Sequence, residues 1–80
     1  MRIYRRKNHI INNNKCVKFL FEELHRQRCP EIDFAERTGI NRDTLRGWRT
    51  RVNPKVNDLN FALNTLGYEI VVRPIKNEKT

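Results

Sequence analysis

Arg42 and Arg46 stand four residues apart in a run, Asn41-Arg42-Asp43-Thr44-Leu45-Arg46-Gly47-Trp48-Arg49-Thr50, that holds few side chains long enough to reach a ligand. A guanidinium carries a fixed fork of N–H donors. That fork matches the O6 and N7 acceptors of a guanine edge, a contact worth about 1–3 kcal/mol of discrimination between bases. Asp43 between the two arginines has two readings. It accepts from a cytosine N4 amino group, or it complements the positive end of a helix dipole in the first turn. Arg46 has a rival partner too, because Asp43 precedes it by three residues, the spacing of a helical ion pair, and either arginine could instead meet phosphate. Around this trio, Thr44, Arg49, Thr50, Arg51, Asn53 and Lys55 are donors suited to phosphate oxygens, and Arg37 is a weaker addition.

These side chains need a helix behind them. On a helix starting near Arg42, Leu45 and Trp48 turn inward while Asp43, Arg46, Gly47 and Thr50 turn outward, with Arg42 and Arg49 on the flank. Like charges four apart disfavour a helix by a few tenths of a kcal/mol, and Gly47 costs about 1 kcal/mol relative to Ala. Two such penalties on one outward face fit a surface kept for an anionic ligand. The spacing of Trp48 from Leu45 assigns its ring to the core and not to base stacking. Asn41 is placed to cap this helix, and Gly39 to end a preceding one that carries Ile32, Phe34 and Ala35. Two short helices therefore meet at a glycine turn, a helix-turn-helix.

Together with the residues on either side, this stretch resembles the helix-turn-helix domain of the phage repressor and Cro family. The matching residues are Ala35, Gly39, Ile40, Thr44, Leu45, Trp48 and Pro54, then Leu59, Leu63, Leu66 and Gly67, and the resemblance covers roughly residues 16–67. It implies a mainly α fold, a four-to-five-helix lambda-repressor-like bundle that sets the helix starting near Arg42 into the DNA major groove. It also implies that the loop before the last helix grips phosphate, which suits Asn53 and Lys55. Glu31 departs from the pattern: many members carry a Gln there that touches the DNA backbone, and phosphate would repel an acid.

Other chemistries find less support. Cys16, His25 and Cys29, with His9, are the only residues that suggest a metal, but no C-x-x-C pair exists and Pro30 should break the helix that would align His25 with Cys29. No metal or cofactor is expected, and Cys16 reads as an ordinary buried thiol. The chain has no nucleophile–base pair, paired carboxylates or glycine-rich phosphate loop, so no catalytic residues and no enzyme are expected.

Charge points the same way as the motif. The net charge is +8, and a balance that basic favours a polyanionic partner. Five of the nine acids, Glu22, Glu23, Glu31, Asp33 and Glu36, fall in the first two expected helices. From Arg37 to Lys55 six basic residues accompany one acid, Asp43, and residues 1–15 hold Arg2, Arg5, Arg6, Lys7 and Lys15 with none. The plainer alternative is a cationic surface kept for solubility. Eighty residues make one small domain that barely buries enough surface to fold alone, so dimerisation is expected. Apolar runs such as Ile70-Val71-Val72 are far too short to span a bilayer, and residues 1–15 lack a secretory pattern, so a cytoplasmic protein is expected.

In chain order, residues 1–12 form a basic N-terminal arm whose Arg2, Arg5 and Arg6 are candidate DNA contacts, along the backbone or in a minor groove. Alternatively Ile3 to Arg5 pairs as a short strand, or the arm has no fixed structure. Residues 13–67 make the helix-turn-helix domain. Its first helix is capped by Asn13 or Asn14, runs to about Gln27, and buries Val17, Leu20, Phe21 and Leu24, with Phe19 at the edge. Its last helix, from about Val56 to Leu66, is capped by Asn57, closes the core with Val56, Leu59, Ala62, Leu63 and Leu66, and ends at Gly67. Residues 68–75 alternate as a short C-terminal β-strand that must find a partner edge; Tyr68, Ile70 and Val72 are the expected dimer interface. Residues 76–80 read as a tail.

The reading is a sequence-specific double-stranded DNA-binding regulator, a dimeric autorepressor of a small phage or bacterial operon acting at a palindromic operator in the cytoplasm. The alternative is an antitoxin-like module that neutralises a protein partner, with or without DNA binding. RNA binding is a third reading, weakened because the exposed basic face lacks aromatic residues to stack unpaired bases.

Overall fold

The computed structural model describes residues 10–75, and its order is four helices: α1 Lys15–Arg26, α2 Glu31–Thr38, α3 Arg42–Thr50 and α4 Val56–Asn64. The arm contacts Arg2, Arg5 and Arg6, the alternative strand at Ile3 and the tail at 76–80 lie outside the described residues. α1 is the scaffold, packing on both α3 and α4, while α2 packs on α3. Its stripe of Val17, Leu20, Phe21 and Leu24 meets Phe34 of α2, Leu45 and Trp48 of α3, and Leu59, Ala62 and Leu63 of α4. Ile10, Ala35, Ile40, Leu66 and Ile70 close the edges of this core.

The helix ends follow local chemistry. Asn14 caps α1, its Oδ1 accepting from the backbone N–H of Cys16 at 2.9 Å and of Val17 at 3.2 Å. Before Pro30 is reached, Arg28 turns left-handed at φ 55°, and the N–H groups of Arg28 and Cys29 close back on the carbonyls of His25 and Leu24. This is the hydrogen-bond pattern that usually recruits glycine. Gly39, at φ 80°, ends α2 with its N–H on the Ala35 carbonyl. The turn of α4 winds on past Asn64 until Gly67, at φ 93°, and Tyr68 return their N–H groups to Asn64 and Leu63.

Several expectations are corrected. Cys16 is exposed and Cys29 is the buried thiol, because Cys16 lies one residue, about 100° of helix, off the Val17 stripe. Burial pushes the Cys29 thiol up from its ordinary pKa. Val56 is exposed, since the inward row of α4 begins a turn later at Leu59. Asn57 lies inside α4, whose first turn follows Lys55 with no side-chain cap.

The C-terminal strand is also corrected: among the described residues no strand forms. Period-two alternation marks an extended segment, but a ladder needs a neighbouring edge, and here the backbone donors find other acceptors. The Ile70 N–H goes to Asn60 Oδ1 at 2.8 Å and the Tyr68 N–H to the Leu63 carbonyl. The Tyr68 ring stands edge-on to Phe19, centroids 4.8 Å apart, and its hydroxyl donates to Glu23 at 3.1 Å. Of the three expected interface residues, Tyr68 and Ile70 thus pack on their own chain, and only Val72, 99% exposed, stands clear.

Candidate nucleic-acid interface

α3 owes its position to two apolar anchors and one cap. Leu45 and Trp48 are buried against α1, and Asn41 Oδ1 accepts the Asp43 N–H at 2.7 Å, fixing where the helix begins. With the inner side so held, Arg42, Asp43, Thr44 and Arg46 all emerge into solvent together. The Arg42 side chain has no hydrogen-bond or ion-pair partner among the described residues. Arg46 Nη2 donates to Asp43 Oδ1 at 2.7 Å, the ion pair anticipated from their spacing, with the two side chains 59% and 82% exposed. A pair that wet is worth about 0.2–1 kcal/mol, less than a good bidentate guanine contact, so it can open when a better acceptor arrives.

Beyond α3 the chain turns through residues 51–55, and Arg51, Asn53 and Lys55 are exposed there, beside the uncapped first turn of α4. This brings three of the expected phosphate donors to one loop adjoining the arginine-bearing helix.

Two others are placed differently. Arg49 is buried: its Nε donates to Glu31 Oε2 at 2.6 Å, with 10% and 20% of the two side chains exposed. Its place three residues past Arg46 and one past Trp48 carries it around to the α2 side, where Glu31 receives it. Thr50 donates its hydroxyl proton to the Arg46 carbonyl at 2.9 Å, with the Gly47 carbonyl at 3.3 Å, so as placed it has none to give a phosphate. Gly47 is half-buried and not fully outward; a Cβ there would meet Val52 at an ordinary 3.7 Å.

A feature missed in the sequence is the anchoring of residues 10–12, which read there as the end of a basic arm. The N–H groups of Ile11 and Asn12 both donate to the Arg49 carbonyl at 3.0 Å, satisfying an acceptor at the C-terminal end of α3. Asn12 is buried, and its Nδ2 lies 3.0 Å from the Trp48 carbonyl, 3.2 Å from the Val52 carbonyl and 3.1 Å from Asn53 Oδ1. The only local signal is an asparagine-rich run, Asn12-Asn13-Asn14, whose last two members already have a reading as helix caps.

Among the described residues no three His, Cys, Asp or Glu side chains converge as metal ligands, and no helix is long and apolar enough to cross a membrane. No known protein family, curated protein or solved structure matches the chain.

Proposed function

We propose that the protein is a sequence-specific double-stranded DNA-binding regulator in which α2 and α3 act as a helix-turn-helix of the phage-repressor type and α3 enters the major groove. One observation carries the reading: Leu45 and Trp48 are buried beneath α3 while Arg42 and Arg46 stand outward on it, with Arg51, Asn53 and Lys55 exposed on the next loop. The division of labour is chemical. Arg42 and Arg46 donate to guanine edges, with Asp43 beside them, and the loop holds phosphates on either side of the groove. The net charge of +8 supplies long-range attraction to the duplex.

Binding by a homodimer accounts best for the apolar residues left over. Val71, Val72 and Ile75 come after the packed segment 68–70 and are all exposed, which suits a second copy of the chain. Two copies would place two α3 helices about 34 Å apart on a palindromic operator. Occupying such a site excludes polymerase, so autorepression needs no sensor domain.

The test is a gel-shift titration against the duplex immediately upstream of the protein's own gene, at several salt concentrations. If a dimer neutralises about eight phosphates, log affinity falls against log salt with a slope of about −7, and the stoichiometry counts two chains per site. Arg46→Ala should lose sequence preference, by about 1–3 kcal/mol at one base pair, while the helical circular dichroism stays unchanged. Undiminished selectivity in that variant would remove α3 from base reading.

A further inference from the structure

We infer that Asn12 is a positioning residue, which locks the loop over 51–55 to the end of α3 and fixes which end of the Asn53 amide faces outward. The inference rests on the DNA reading above for what that loop holds, and on hydrogen-bond geometry for the rest.

Asn12 is buried among acceptors. Its Nδ2 faces the Trp48 carbonyl on α3, the Val52 carbonyl in the loop and Asn53 Oδ1, while its own Oδ1 accepts the Asn14 N–H at 2.9 Å, next to the cap of α1. One side chain therefore ties together the start of α1, the end of α3 and the loop. An amide suits the position because it offers donors on one end and an acceptor on the other. A carboxylate would set negative charge against two carbonyls, and an apolar side chain would strand them.

The effect on Asn53 is directional. Asn53 Oδ1 is held from two sides, by Asn12 Nδ2 at 3.1 Å and Asn14 Nδ2 at 3.4 Å. With its acceptor turned to the protein, its own NH2 is the end left to solvent, on the loop that also carries Arg51 and Lys55. A flipped Asn53 would present an oxygen and repel phosphate. Asn12 thus sets the polarity of a phosphate donor without itself touching DNA.

The experiment pairs two variants and two readouts. In the free protein, amide hydrogen exchange is measured for residues 49–53 against Leu24 and Leu63 as core references. Asn12→Ala should speed exchange at Arg51 and Val52, whose N–H groups donate to the Gly47 carbonyl, while the references hold their relative protection. Asn53→Asp keeps the acceptor that Asn12 binds and should leave the loop as protected as in the natural chain, which covers the case in which Asn12→Ala unfolds. On duplex DNA both variants should weaken cognate and unrelated sequences alike, by about tenfold at fixed salt, with base preference kept. Asn12→Ala should also make the salt dependence shallower as Arg51 and Lys55 lose their register. Unchanged loop exchange in Asn12→Ala, or faster loop exchange in Asn53→Asp, overturns the inference, as does undiminished duplex affinity in Asn12→Ala. A natural chain that binds no duplex would sink the DNA reading instead, and the exchange data would still decide the part played by Asn12.

Discussion

Arg46 and Arg49 lie three residues apart on α3, and each meets an acid, yet the two pairs sit in opposite surroundings. Arg46 reaches Asp43 within its own helix, both side chains in water. Arg49 reaches across to Glu31 at the start of α2, and its pair is largely enclosed. The same two charge types therefore do different jobs: one pair rests on a surface and can exchange partners, while the other sets how two helices meet. In water the Coulomb gain of an ion pair is nearly cancelled by competing solvent, so the exposed pair is close to neutral in stability. In the enclosed pair, removing Arg49 takes the hydrogen-bond donor from a half-buried carboxylate.

The sharpest way to break this distinction is to remove Arg49. Arg49→Ala leaves Glu31 half-buried without its donor and should cost about 2–3 kcal/mol in denaturant unfolding, below the fully buried range because Glu31 keeps some water. A double-mutant cycle with Glu31→Ala should return a coupling above about 1 kcal/mol. A coupling near zero would place this pair with the exposed one.

The contrast also marks what could be read from the chain. Asn14, Gly39, Asn41 and Gly67 act within a few residues of themselves, so these caps and turns were legible, though the Asn57 cap was not formed, and so was the three-residue pairing of Asp43 with Arg46. Leu45 and Trp48 were legible because burial tracks helical spacing. The Glu31–Arg49 contact spans eighteen residues, and Asn12 reaches across thirty-six and forty-one. No periodicity pairs such positions; they meet only because α1, α2 and α3 pack. The terminal segment failed for a related reason: alternation was present, but the acceptor that captured Ile70 belongs to Asn60, a side chain on α4.

A third pair falls between the two extremes. Glu23, buried on α1, accepts from Arg26 Nε at 2.7 Å, from Gln27 at 3.1 Å and from Tyr68 at 3.1 Å. Hydrogen bonds from Arg26 and then Gln27 outweigh the burial that would raise it and hold its carboxyl down to about 2 from an ordinary 4.5. A carboxyl depressed by folding stabilises the fold fully above its unfolded pKa, and that contribution is lost as pH falls from about 4.5 toward 2. Glu23→Gln should therefore flatten the acid limb of stability against pH in that window, monitored by circular dichroism in urea. An acid limb as steep as that of the natural chain would assign the loss to other carboxylates.

The smallest effect belongs to the exposed pair, and its smallness is the point. Asp43→Asn removes a wet ion pair and a favourable charge in the first turn, so stability should change by less than about 0.5 kcal/mol. Its influence on the duplex should exceed that. If Asp43 serves only to occupy Arg46, losing its charge removes a repulsion from phosphate and frees the guanidinium, and affinity should rise on every sequence tested. If it accepts from a cytosine amino group, preference at one base pair should fall instead, by about 1–3 kcal/mol. A loss of stability near that of Arg49→Ala would mean that the surface pair is as structural as the enclosed one. An outward face that holds its helix together in that way could not release Arg46 to read a base at little cost.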